Sequence, residues 1–425
     1  MKRLTLWFVG IFASLFVLLL ITVVIFVLTG NSRLDKERQA WQDVGGVNSV
    51  SDHVKTLNAD VTESDLEAAD LWQQAMAALP SDEPELLRGK IDFDTIETAQ
   101  LESILSGAEH ALRLTDQAAQ LAPAHWPVVY DATAPTFDNF YGISFPYSRA
   151  RTLSRYLRLR AMLDMRNGET DTAVQTVKTG YALADFSGAQ PAILPYLVDI
   201  SLRASMLDLV RHMMDHADGI DSMPDLSSLD AMLDAGRPRT ALRAALLGEG
   251  AFGQTAYKEM GTLVNQQVSG SSKPSGTGIP RLLSVVGSHD QAEYLIYMRS
   301  WIEYVSLPAV ERSDTGRPEM PPSWALLASI IVSALDRANA ATTQIEGNTL
   351  LARQAIQLTE YYREHKAFPA SEDFQSLATN EAHGFVITNT LSDDGHTVTL
   401  GCEPHPDLNT KEADAVSKET WELTW

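Results

Sequence analysis

At 425 residues the chain is long enough for two or more hydrophobic cores, and its 55 acidic against 33 basic residues leave a formal charge of −22. That balance argues against nucleic acid and against anionic lipid headgroups, both of which need basic surface, and the acidity is expected to serve solubility. Cys402 is the only cysteine, which excludes an intramolecular disulfide and any metal site of several thiolates; it is expected as a small buried residue of a strand.

The first element is the run Leu4–Leu28, 25 residues without a charge. At about 1.5 Å per residue a helix of this length exceeds a hydrocarbon core of roughly 30 Å, so the run is expected to span a membrane with tilt. Lys2 and Arg3 precede it, which directs the N-terminus to the cytoplasm and the rest of the chain to the other side. After it, Arg33, Lys36 and Arg38 alternate with Asp35 and Glu37, so the charge contrast across the run is incomplete. A cleaved secretory signal is the rival reading, but its apolar region is typically about 7 to 15 residues, and Val27-Leu28-Thr29-Gly30 is a poor cleavage site. The expected plan is a cytoplasmic stub and transmembrane helix (1–30), an extracytoplasmic helical domain (31–265), a Gly/Ser/Pro linker (266–280), and a long helix with a small sheet (281–425).

Leu66, Ala69, Trp72, Ala75 and Met76 form the stripe of an amphipathic helix, with Ser64 and Glu67 as its expected capping box. Pro80 to Pro84 breaks that run. A second helix is expected over Thr95–Leu121, with Leu101, Ile104, Leu105, Ala108, Leu112 and Leu121 inward. Between Trp126 and Tyr147 seven aromatic residues gather: Trp126, Tyr130, Phe137, Phe140, Tyr141, Phe145 and Tyr147. They are the candidate partner-binding residues, since aromatic side chains dominate interface hot spots; the competing reading is a connection tucked into the body.

Helices follow from Ser148 to about Asp215, opening with Arg149, Arg151, Arg155, Arg158 and Arg160, a solvated face expected to pair with the acidic first helices. Asn167-Gly168 joins two of them, with Thr170 or Asp171 capping the second and Ala173, Val174, Val177 and Tyr181 facing in. Gly168 five residues before Ala173 resembles one unit of a tetratricopeptide-type hairpin, without the further copies such repeats need. Helices are also expected at Asp225–Asp234, Thr240–Thr262 and Gln291–Val305. Val268–Pro280 reads as a linker, and Thr315–Pro322, with three prolines, as a break.

A long helix is expected from Ser323 to about Lys366, its apolar opening at Trp324–Leu335 being too short to span a membrane. The tail alternates as an antiparallel sheet: Phe385–Leu391, a turn at Asp394-Gly395, His396–Cys402, then Trp421, Leu423 and Trp425 as a third strand. That turn puts Leu391 opposite Val398 and Ile387 opposite Cys402, with the long helix as the facing surface.

The long helix followed by Tyr361, His365, Lys366 and Phe368-Pro369 resembles the post-helix region of type II secretion pseudopilins, in which a Gly stands where this chain has Lys366. The wider layout, with the Ala- and Leu-rich stretch Arg151–Leu209, is similar to uncharacterised bacterial single-pass envelope proteins. The resemblance implies a local fold and a bacterial inner-membrane address with a periplasmic body, and it carries over no catalytic residue. Met1 to Leu6 offers neither the leader nor the Glu of a pseudopilin, so a polymerising pilus subunit is not expected.

Candidate chemistry is sparse. His212 and His216, at i and i+4 beside Asp215, Asp218 and Asp221, have the spacing of a zinc-ligand pair but lack the Glu that a zinc protease needs after its first His; an exposed helix end is the competing reading. The chain has no phosphate loop, dinucleotide fingerprint or nucleophile elbow, and no Ser three residues before a Lys. No cofactor is expected. The expected function is a non-catalytic envelope scaffold or protein-interaction module, with the membrane and another envelope protein as partners. Two alternatives stand beside it: an anchored hydrolase using carboxylates or a His-bound metal, and an accessory component of a secretion or pilus-like machine.

Overall fold

The computed structural model describes residues 28–84, 87, 95–121, 146–215, 223–270, 279–322, 325–369, 385–392, 397–404 and 420–424. The apolar run therefore lies outside the described residues except for its last position, and among the described residues no helix is long and apolar enough to cross a membrane.

The chain is mainly helical. Helix α1 covers residues 28–43, followed by α2 (Val50–Asn58) and α3 (Glu63–Ala78). The box that starts α3 is Thr62 with Asp65, not Ser64 with Glu67. The Asp65 carboxylate accepts from the Thr62 N–H at 2.8 Å and the Thr62 hydroxyl accepts from the Asp65 N–H at 3.2 Å. The buried stripe is Ala68, Ala69, Trp72, Ala75 and Met76, and Leu66, expected inward, is 47% exposed. Trp72 stacks on Phe186 with ring centroids 5.7 Å apart.

The single helix expected over Thr95–Leu121 is two, α4 (Thr98–Ser106) and α5 (Glu109–Gln120). Ala108 leaves helical geometry at φ −113°, ψ 7° beside Gly107, a poor helix former. Then α6 (Tyr147–Arg166), α7 (Thr170–Gly188) and α8 (Ile193–Asp215) pack on one another in succession. Gly168 makes the α6–α7 turn at φ +78°, where a side chain would be strained, and Glu169 takes the cap position expected of Thr170 or Asp171. Ala173, Val174, Val177 and Tyr181 are buried as their spacing requires. Of the arginine face, Arg155 pairs with Glu83 at 2.7 Å and Arg160 holds Asp116 through two 2.9 Å hydrogen bonds. Arg158 pairs with Asp208 on α8, and Arg151 is exposed.

The helix expected at Asp225–Asp234 is only a 3-10 segment, Ser227–Met232. Next come α9 (Arg237–Gly270), α10 (Ile279–Ser306), α11 (Ala309–Thr315) and α12 (Leu326–His365). Both α9 and α10 run into the stretch read as a linker: α9 continues to Gly270 and α10 begins at Ile279, while residues 271–278 lie outside the described set. The two helices pack together, and α12 contacts α8, α9 and α10. A single cluster of buried residues extends from Leu34 through α12 to Trp421.

The tail forms a three-stranded antiparallel sheet in the order β1 (Phe385–Leu391), β2 (Thr397–Pro404), β3 (Thr420–Thr424). Leu391 pairs with Val398 and Ile387 with Cys402, the expected register, and Trp421 pairs with Leu400. The sheet packs on α12, with Cys402 buried. Leu391, the last residue of β1, is 48% exposed, while its partner Val398 on the central strand is buried. The turn at Asp394-Gly395 lies outside the described residues. Lys366 ends α12 in the left-handed conformation at φ 52°, its N–H donating to the Tyr362 carbonyl at 2.7 Å.

Candidate functional site

Helix α9 carries three arginines in its first two turns, Arg237, Arg239 and Arg243, where the positive end of the helix dipole disfavours cations. Each has a different neighbour. Arg237 pairs with Asp185 on α7. Arg239 meets α12 along one face at i, i+4 and i+7. It donates to the Asn339 side-chain oxygen at 2.7 Å and the Thr343 hydroxyl at 3.3 Å, and forks onto the Glu346 carboxylate, with the Nε bond at 3.0 Å. Glu346 is only 2% exposed, so the fork supplies the cation that a buried carboxylate requires. Arg243 meets no carboxylate among the described residues, and its Nη2 donates to the Val44 carbonyl at 2.9 Å.

Arg239 and Arg243 line a cleft of about 480 Å³. Gly236 and Thr240 add the opening of α9, Val305 and Ser306 the end of α10, and Leu307 and Pro308 the connection beyond it. Arg312 of α11, 4% exposed, closes one wall and caps α10 by donating to the Leu307 carbonyl at 2.8 Å. Among the described lining residues Glu346 is the only carboxylate, against three guanidinium groups. Arginine forks of this kind match the planar geometry of carboxylates and phosphates. A second hollow of about 320 Å³ lies between α2, α9 and the α7–α8 connection; small and apolar side chains such as Leu57, Ala241 and Ala245 line much of it.

Two further groups of buried polar residues lie close by. On α8, Arg203 donates to Asp199 at 2.8 Å and also pairs with Asp185, while burial pushes the Asp199 carboxyl up to about 6 against the pull of Arg203. Farther along α9, Glu249 is buried and accepts the Ile193 backbone N–H at 3.1 Å. Burial pushes its carboxyl up to about 7, and the backbone hydrogen bond offsets only part of that.

The residues singled out in the sequence fall elsewhere. Tyr147 opens α6 and is half-buried against the core, while Trp126, Tyr130, Phe137, Phe140, Tyr141 and Phe145 lie outside the described residues. His212 sits in the last turn of α8 and His216 lies outside the described residues. Among the described residues no group of three or more His, Cys, Asp or Glu is placed to hold a metal. The arginine cleft is a site that sequence reasoning missed, although the signal was present as cations in the first turns of a helix. No family model, curated protein or solved structure matches the chain.

Proposed function

We propose that the chain is a membrane-anchored extracytoplasmic helical scaffold or protein-interaction module of the bacterial envelope, with another envelope protein as its partner. The observation that carries this reading is the use of charge inside the body. Arg239 clamps α9 to α12 through Glu346, Arg203 and Arg237 draw α8 and α9 to Asp185, and Arg160 ties α6 to Asp116 of α5. These groups are tied to one another across helix interfaces, which suits a rigid frame. The same holds next to the apolar run: Arg33 pairs with Glu293 and Glu37 with Arg299, so α1 is clamped along α10. This gives Arg33 and Glu37, two of the charges that blur the contrast across the run, a structural use.

The partner-docking element in this reading is the aromatic stretch Trp126–Tyr147. In-cell crosslinking with mass spectrometry on the full chain tests it. A stable protein neighbour, lost when Trp126, Tyr130, Phe140 and Tyr141 are replaced by Ser, is the expected result. The absence of any neighbour, together with metal-dependent hydrolysis by the purified protein, would overturn it in favour of the anchored hydrolase. A second reading, an accessory component of a secretion or pilus-like machine, draws on the left-handed Lys366 ending α12 before Phe368-Pro369, and on the sheet packed against that helix.

A further inference from the structure

We propose that the cleft between α9, α11 and α12 binds a small oxyanion, a phosphate or carboxylate group carried by a small molecule, with Arg243 as its principal ligand. The proposal goes beyond the scaffold reading and does not depend on it. Three observations converge on the cleft.

The first is charge placement. In a chain of formal charge −22, three arginines and a single carboxylate are the charged side chains among the described residues that line one hollow. That carboxylate, Glu346, is already engaged by the Arg239 fork, which therefore serves as a fixed wall. Arg243 stands one turn further along the same face and lines the cleft. Its guanidinium carries five N–H donors, and one hydrogen bond, to the neutral Val44 carbonyl, holds its position. The half-buried cation is thus oriented without being neutralised.

The second observation is helix position. Arg237 and Arg239 stand in the first turn of a 34-residue helix, where the dipole disfavours cations, and each has a carboxylate beside it. Asp185 answers Arg237 and Glu346 answers Arg239. An oxyanion in the cleft would answer Arg243 and would also face the positive end of α9.

The third is size and lining. About 480 Å³ suits a small molecule rather than a folded segment, and the hydroxyls of Thr240 and Ser306 lie among the lining residues as further polar contacts. Those hydroxyls donate to the carbonyls of Gly236 and Ile302, at 3.3 and 2.6 Å, and either would turn its proton from that carbonyl to the oxyanion in order to donate to it.

The test is isothermal titration of the full chain in neutral detergent at constant ionic strength set with chloride, using inorganic phosphate and citrate in separate experiments. Saturable binding of at least one anion is expected, and which one binds separates a phosphate-bearing from a polycarboxylate ligand. Arg243→Gln should weaken binding about tenfold or more. Arg243→Lys keeps the charge without the planar fork and should weaken it less. Arg151→Gln, exposed on α6, should leave it unchanged. Melting of the wild-type protein with each anion against chloride gives a second readout that needs no variant, and a rise in Tm with the same anion is expected. Failure of both anions to bind or to raise Tm overturns the proposal, and so does a folded Arg243→Gln variant that binds as tightly as wild type.

Discussion

Two stretches of α9 solve the same problem in opposite ways. Around residues 236–243 the helix meets its neighbours through long cationic side chains, and the carboxylate it buries on α12 has a guanidinium fork that also donates to an amide oxygen and a hydroxyl of the same helix. Around residues 248–254 it meets them with almost no side chain. Gly248 lies against the Pro191 carbonyl, Gly250 against the Trp41 ring and Gly253 against the Tyr294 ring. Close approach there excludes water from Glu249, which has a backbone N–H for a partner and no arginine. The first stretch is held by charge and leaves a polar cleft open beside it. The second is held by contact and leaves a carboxyl that gives up its proton only near neutral pH.

The largest effect should come from breaking the charged stretch. Arg239→Met leaves Glu346 buried without its cation, which typically destabilises by about 3–5 kcal/mol. Urea denaturation monitored by circular dichroism measures it. Replacing both partners, Arg239→Met with Glu346→Leu, should recover most of that loss, because the expensive state is the lone buried charge. If the double variant is as unstable as the single one, the two residues do not form the coupled pair described above.

The contact-held stretch should respond to pH. The Glu249 carboxyl titrates near 7 in the folded protein against an ordinary 4.5, so the folded state holds its proton more tightly than the unfolded chain. The stabilisation is therefore complete below pH 4.5 and is lost as pH rises through 7. Glu249→Gln removes this dependence. Relative to wild type it should gain about 2–3 kcal/mol at pH 8 and much less at pH 4, read from urea midpoints across that range. Asp199, also pushed up by burial, adds dependence of the same sign that this variant leaves in place. An equal effect at both pH values would show that Glu249 contributes through shape alone.

Gly250→Ala tests the cause of that desolvation. A Cβ there would lie 2.1 Å from the Trp41 ring, which is fully buried and pinned by its Nε1–H donating to the Val47 carbonyl at 3.0 Å. The ring has nowhere to move, so overpacking should cost about 1–3 kcal/mol. If the helices separate to relieve the clash, water reaches Glu249 and the pH dependence should flatten as well. A neutral outcome would remove close packing as the explanation for the raised carboxyl.

Much of this frame was legible in the sequence, and the exceptions share a cause. The β1–β2 register followed from alternation plus a two-residue turn, since a slip of one residue would turn Ile387 and Cys402 away from α12. The buried face of α7 and the ends of α12 followed from periodicity and from Pro369. What the sequence concealed depended on partners distant along the chain. Leu66 lies outside because the stripe of α3 is set by what Ala68, Ala69 and Trp72 meet, and the start at Thr62 rests on an Asp where a Glu was sought. The cleft draws on residues from 236 to 346, and no local pattern announces that Arg243 stands beside Arg312 and Glu346. The glycines of α9 read as weak helix formers, while in the fold they mark the closest approaches.

The smallest predicted effect, His53→Gln, sharpens the contrast from the acid side. His53 sits on α2 with its Nε2 3.2 Å from where a Cβ on Gly248 would stand, so it belongs to the contact-held stretch. Burial pushes its imidazole below the ordinary 6.5, and Nε2 has no hydrogen-bond partner among the described residues. The unfolded chain therefore takes up this proton first, and the stability His53 contributes is present above pH 6.5 and lost as pH falls below it. Glu249 acts in the reverse sense over an overlapping range, since its contribution falls as pH rises from 4.5 through 7, so the two oppose each other below pH 6.5. With Gln at position 53 that opposition is removed, so the gain in stability from Glu249 as pH falls below 6.5 should become steeper. A parallel shift of the whole pH profile would instead mean that His53 acts through packing and that its proton plays no part.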